Sequence, residues 1–160
     1  MGSEMCIRDR SYADQLDKII EVEGLGEVIV DIAFGGIFYA LIDPSQFNLK
    51  ILPENARKLV DIGTKVHRAI NNQVDIKHPQ IEGLKGISYT MFVGHDSDGV
   101  MKGATILPPG RIDRSPCGTG NSARLAVMEA RGQAEVGQSF LARSIINLSL
   151  IHISEPTRPY

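Results

Sequence analysis

Residues 113–120 read DRSPCGTG. Proline lacks a backbone donor and arrives with a preset φ, and glycine places no bulk beside the chain, so this composition suits an abrupt entry into a helix. Beyond it, Ala123, Ala126, Val127 and Ala130 fall at the spacing of one small apolar helical face, and Gly132 supplies a C-terminal stop. The stretch predicts a helix over residues 119–130 with Cys117 at its threshold.

Reading outward, residues 139–146 form a final strand, and 100–107 form the strand before the motif, broken by Pro108-Pro109-Gly110. Residues 74–76 and 87–93 read as two further strands, set apart by His78-Pro79 and by a turn over residues 95–99. A helix begins at Pro53, with Ala56, Leu59, Val60, Gly63, Val66, Ala69 and Ile70 on its buried face and an end near Asn71-Asn72. Residues 27–34 (EVIVDIAF) and 37–42 (IFYALI) are strands hinged at Gly35-Gly36, as a hairpin or a bent strand. The order β-β-α-β-β-β-α-β describes an α+β domain in which sheet packs against helix.

With 160 residues, 42% hydrophobic and 22% charged, the chain can bury an ordinary globular core. Seventeen basic and nineteen acidic side chains give a net charge of -2 with few aromatics, which argues against a nucleic-acid partner. No run reaches the roughly 20 apolar residues of a membrane span, and no apolar signal-peptide region stands near the start, so the expectation is a soluble, cytoplasmic protein.

Both ends read as foreign to the domain. Residues 2–9 (GSEMCIRD) and 148–156 (LSLIHISEP) can be written in codons such that the second holds the reverse complement of the first over about 24 bases, as a translated library adapter would. Residues 1–10 and 148–160 are therefore set aside, and residues 11–147 are taken as the domain fragment. Cys6 goes with the first flank, leaving Cys117 as the domain's cysteine with no internal disulfide to form.

A helix start leaves backbone N–H groups unpaired and carries partial positive charge, which suits a carboxylate or phosphate. Thiols in that setting ionise more readily than free ones. Gly118, Thr119 and Gly120 thus offer donors to an anion beside Cys117, an arrangement fit for removing a proton next to a carboxylate. Asp113, four residues before the thiol, can accept a hydrogen bond from a substrate ammonium. Two alternatives stay open for Cys117: a buried apolar filler, and a phosphatase-like or acyl-transfer nucleophile. His67 is read as a helix-face residue, His95 as a turn residue, and the acids at 96–98 as a solvated loop with the wrong spacing for a metal. Gly35-Gly36 is read as a bend, with a pocket role open for Phe34.

DRSPCGTG, followed by Asn121-Ser122-Ala123, resembles the second catalytic-cysteine motif of the proline racemase family, which also holds 4-hydroxyproline epimerases and trans-3-hydroxy-L-proline dehydratases. Residues 31–36 (DIAFGG) and His78-Pro79 are similar to two more of its stretches. The resemblance implies one half of a two-domain, diaminopimelate-epimerase-like fold, with a mixed sheet wrapped on a central helix. It also implies proton abstraction and return by two opposed cysteines, without metal or pyridoxal phosphate or any other cofactor. On it, Cys117 is one acid/base residue, the Gly118 and Thr119 amides hold the carboxylate, Asp113 binds the ring nitrogen, and Leu107 stands in the pocket wall. The substrate is then a small molecule, proline or hydroxyproline, and a homodimer stays open for the full-length parent.

The family's other cysteine lies in a Met-Cys-Gly-His motif that this sequence lacks, and Met5-Cys6 is no substitute for it. Asn121 stands where threonine is common, and Ile37 where a small or polar residue follows Phe-Gly-Gly. The expected activity is a racemase or 2-epimerase, with the polypeptide inactive alone for want of the second base. Two alternatives remain: a dehydratase, where threonine is frequent at position 117, and an inert fragment.

Overall fold

The computed structural model describes residues 11–135 and 137–153. The flank at 1–10, Cys6 included, lies outside them, as do residues 154–160. Strands β1 (Tyr12–Val22), β2 (Gly26–Phe34) and β3 (Phe38–Ile42) come first, then 3-10 turns at Pro44–Phe47 and Pro53–Asn55 leading into helix α1 (Ala56–Gln73). Strands β4 (Tyr89–His95), β5 (Met101–Leu107) and β6 (Arg111–Ile112) follow, then helix α2 (Gly118–Ala130) and strands β7 (Ser139–Arg143) and β8 (Ser149–Ile153).

These strands form one sheet in the order β1-β2-β3-β4-β5-β7-β8, with β6 paired to β5. The β3/β4 and β5/β7 pairs are parallel and the rest antiparallel, so the sheet is mixed. Parallel neighbours need a long crossover. Helix α1 lies in the connection between β3 and β4, and α2 in the connection between β5 and β7.

The sheet is buried on both faces where the two helices cover it. Val28, Val30, Ile32, Phe34, Phe38, Ala40, Ile42 and Phe92 share a core with Leu59, Ile62, Val66 and Ile70 of α1. Their neighbours in the pleat, Ala33, Tyr39, Leu41 and Met91, share a second core with Ala123 and Val127 of α2. This explains why residues 37–42 carry no charged position: alternate side chains meet different helices. Helix α2 touches β1, β2 and β3 towards one edge of the sheet and β8 at the other, so the sheet curls round it.

Several sequence expectations need correction. Residues 12–22 were given no element yet form β1, whose register slips between Ala13 and Gln15 and again between Gln15 and Lys18. Asp17 in that stretch has φ 52°. These bulges erase the two-residue alternation by which a strand is recognised. Residues 74–76 are no strand; the chain folds on itself there through a single bridge between Lys77 and Lys85, with Gly86 N donating to Ile76 O at 2.7 Å. Ala130 is exposed rather than buried, while Ile62 joins the α1 face. The last expected strand stops at Arg143, where it turns back to pair with β8.

The Gly35-Gly36 link is a hairpin, with Phe34 opposite Phe38 and Gly35 N donating to Ile37 O at 3.0 Å. Phe34 belongs to the core on the α1 face rather than to a pocket. Its ring centroid lies 5.6 Å from Tyr12, 5.1 Å from Phe38 and 4.8 Å from His78. Burying a side chain of that size contributes about 1.5–3 kcal/mol. The His78 imidazole is part of this cluster, and its Nδ1 accepts from the Gln80 and Ile81 amides at 3.1 and 3.0 Å. That fixes the neutral tautomer with the proton on Nε2.

Candidate active site

The loop into α2 is tied down step by step. Asp113 N donates to Thr105 O at 2.8 Å, which carries the chain off the end of β5. The Asp113 carboxylate then accepts from Ser115 N at 2.9 Å and Ser115 Oγ at 2.8 Å. Ser115 Oγ in turn accepts from Cys117 N at 3.2 Å. Beyond it, Asn121 N and Nδ2 each donate to Cys117 O at 3.0 Å, and Nδ2 also reaches Pro116 O. Cys117 is held between these bonds at φ 60°, ψ 95°, a region that L residues rarely occupy.

In this conformation Cys117 precedes the first turn of α2, and it caps that turn with no side-chain hydrogen bond. Its sulfur meets Tyr39 Oη at 3.1 Å, and the same phenol lies 2.7 Å from Thr119 Oγ1. Burial, and then the hydrogen bond with Cys117, push the Tyr39 phenol well above its ordinary range, so it stays protonated. Cys117 is half-buried while Gly118 and Thr119 are exposed, which leaves the helix-start amides open to an approaching anion. Half-buried Ile37 and Tyr89 pack on the same small core as Cys117.

Two glycine contacts explain how the backbone reaches this arrangement. A Cβ on Gly120 would stand 2.8 Å from Met91 Sδ, 3.0 Å from Cys117 Sγ and 3.4 Å from Tyr39 Cε1. A Cβ on Gly35 would strike Thr119 O and come within 2.6 Å of Ala123 N. The Gly35-Gly36 hairpin is therefore a seat for the helix start as well as a bend. At the other end of α2, Arg131 grips Asp31 with bonds of 2.7 and 2.8 Å and reaches Asp17 at 2.7 Å.

Of the residues singled out from sequence, Cys117, Gly118 and Thr119 stand together at the helix start, and Asp113 is linked to Cys117 through Ser115. Leu107 ends β5 opposite Arg111, and among the described residues it is not one of the apolar side chains packed on the Cys117 core. Tyr39 and Ser115 were missed. Tyr39 had left a signal, because a phenol in the otherwise apolar run 37–42 must find a polar partner once buried.

His67 Nε2 bonds Ile87 O at 2.9 Å, and His95 ends β4 rather than lying in a turn. Asp96 and Asp98 are not simply solvated, since Arg143 donates to them at 3.1 and 2.8 Å and ties the loop to β7. Among the described residues, no group of three His, Cys, Asp or Glu side chains is placed to hold a metal ion. Nor is any helix of those residues long and apolar enough to cross a membrane.

The chain has similar counterparts among known proteins. A 4-hydroxyproline 2-epimerase of Allorhizobium ampelinum is 48% identical over 136 residues, covering 85% of this chain and 39% of that protein. A hydroxyproline epimerase from Agrobacterium vitis, crystallised with trans-4-hydroxy-L-proline, matches with a TM-score of 0.85 at 46% identity, over 89% of this chain and 41% of that one. A probable proline racemase from Agrobacterium radiobacter, crystallised with carbonate, matches with a TM-score of 0.86 at 44% identity, over 89% of this chain and 42% of that one. The chain thus spans about two fifths of the length of these relatives. The sequence also matches the proline racemase family itself over residues 5–151, and the chain belongs to that family.

Proposed function

We propose that this chain carries one of the two acid/base centres of a cofactor-independent racemase or 2-epimerase acting on proline or hydroxyproline. The observation that carries this reading is the Cys117 thiol held at the threshold of α2, beside amides that no helical carbonyl can pair. In this reading the Gly118 and Thr119 amides hold the substrate carboxylate as charge builds on it. Cys117 as thiolate takes the Cα proton, and a second group on the opposite face of Cα delivers another. Asp113 keeps acceptor capacity beyond its two bonds to Ser115 and receives a hydrogen bond from the ring nitrogen.

The relatives support the substrate class: one is named a 4-hydroxyproline 2-epimerase, and another was crystallised with trans-4-hydroxy-L-proline. Cysteine at 117 favours racemisation or epimerisation over dehydration, since a thiol can both take and return a proton. Ile37, packed on the same core as Cys117, is the residue through which ring substituents would be read differently. Leu107 as pocket wall draws no support from its position. Residues 11–147 are the domain in this reading, with 1–10 and 148–160 foreign to it, and the second base comes from sequence this chain does not contain.

A chimera tests the reading. Residues 11–147 replace the matching segment of a 4-hydroxyproline 2-epimerase, and epimerisation is followed by polarimetry. Turnover is expected, with its loss in Cys117→Ser, while the 160-residue chain alone should exchange no Cα proton with L-proline or 4-hydroxyproline in D2O. Full turnover in the folded Cys117→Ser chimera would remove Cys117 from its role.

A further inference from the structure

We propose that Tyr39 is a positioning residue for Cys117, forming with Thr119 a hydrogen-bond chain that serves the sulfur in both its thiolate and its thiol state. The inference rests on the acid/base reading of Cys117 given above. Tyr39 is 1% exposed, so its hydroxyl cannot turn to bulk water. Its oxygen lies 3.1 Å from Cys117 Sγ and 2.7 Å from Thr119 Oγ1, within hydrogen-bond reach of both. The ring is packed on both sides: it lies edge-on to Tyr89 at 5.9 Å, and a Cβ at Gly120 would stand 3.4 Å from its Cε1.

A phenol has one proton and can accept as well as donate. When Cys117 is a thiolate, Tyr39 donates to the sulfur and accepts from the Thr119 hydroxyl. When Cys117 is a thiol, it donates to Tyr39 Oη, and Tyr39 turns its own proton to Thr119 Oγ1. No covalent bond forms or breaks within the chain, since each oxygen keeps its proton and only the direction of donation reverses. Because burial keeps the phenol protonated, Tyr39 does not compete with substrate for the sulfur's proton. Thr119 then has two separate duties, its amide towards substrate and its hydroxyl towards Tyr39.

The test is alkylation of the full 160-residue chain by iodoacetamide across pH, read at the Cys117 peptide by mass spectrometry so that the second cysteine of the sequence, Cys6, is scored separately. Tyr39→Phe keeps the ring and removes the hydroxyl. The pH at which alkylation reaches half its limiting rate should rise by about one unit, as befits loss of one hydrogen bond to a charged group. Thr119→Val should move it the same way by less. A Tyr39→Phe chain with wild-type circular dichroism and an unmoved midpoint would overturn the proposal. If that variant does not fold, Thr119→Val decides alone: a raised midpoint supports the chain and an unmoved one overturns it. No substrate enters this measurement, so a failed chimera and a failed Tyr39 are separate results.

Discussion

Gly35 lies against the first turn of α2 so closely that a methyl group in its place would strike the carbonyl oxygen of Thr119. The obstacle is backbone, which cannot swing aside as a side-chain tip can. Gly35→Ala must push the hairpin and the helix start apart, at a cost of about 1–3 kcal/mol for overpacking. Urea denaturation should show that loss, and iodoacetamide should modify Cys117 at an altered rate because the helix start moves with its residues. Wild-type values for both would mean that the hairpin does not seat the helix.

The two glycines that follow Cys117 should respond differently to the same change. A Cβ on Gly120 would press on Met91 and Cys117 and touch Tyr39, whereas a Cβ on Gly118 meets nothing within 4 Å. Gly120→Ala is expected to lower stability by about 1 kcal/mol, the low end of the overpacking range because the flexible Met91 side chain can yield, while Gly118→Ala leaves the denaturation midpoint close to wild type. In the chimeric enzyme, Gly118→Ala should still weaken carboxylate binding by crowding the amide, seen as a raised KM. Equal destabilisation by the two substitutions would contradict the packing described around the cysteine.

Acid should loosen the aromatic core. Burial pushes His78 below its ordinary value of 6.5, with the Asp14 charge opposing. The folded state therefore binds this proton less readily than the unfolded chain does, and stability falls as pH drops below about 6.5 towards the lowered folded value. Protonation would also remove the acceptor used by the Gln80 and Ile81 amides. His95 is shifted the same way, by burial and then by Arg124, so the wild-type slope contains both. His78→Asn keeps an acceptor near Nδ1 without titrating, and urea midpoints between pH 8 and 5 should fall less steeply in it. An unchanged slope would assign the pH dependence elsewhere.

What could be read from sequence was what repeats at a regular period. Helix α1 carried its face at three- and four-residue spacing, and residues 27–34 and 37–42 read as two strands about a glycine pair, a hairpin or a bent strand, which the structure resolves as a hairpin. Strand β1 hid because Asp17 and its bulges break the alternation. At the site, Cys117 and its glycines were legible because helix starts have local chemistry. Tyr39 is remote in sequence and meets Cys117 only when β3 and α2 are packed. Asn121 was noticed as a departure from a pattern, but its bonds to Pro116 O and Cys117 O depend on the conformation of a loop that no periodicity encodes.

Strand β2 and the glycine that follows it hold α2 at two points, Asp31 gripping Arg131 just past the helix end and Gly35 meeting Thr119 in the first turn. Strand and helix therefore act as the two jaws of a caliper, each gauging the other's length. A residue inserted between Thr119 and Arg131 would turn the arginine about 100° round the helix axis, away from its carboxylate. One inserted between Asp31 and Gly35 would flip the strand's faces. Neither segment can change length alone, so any homologue that lengthens one should carry a matching change in the other.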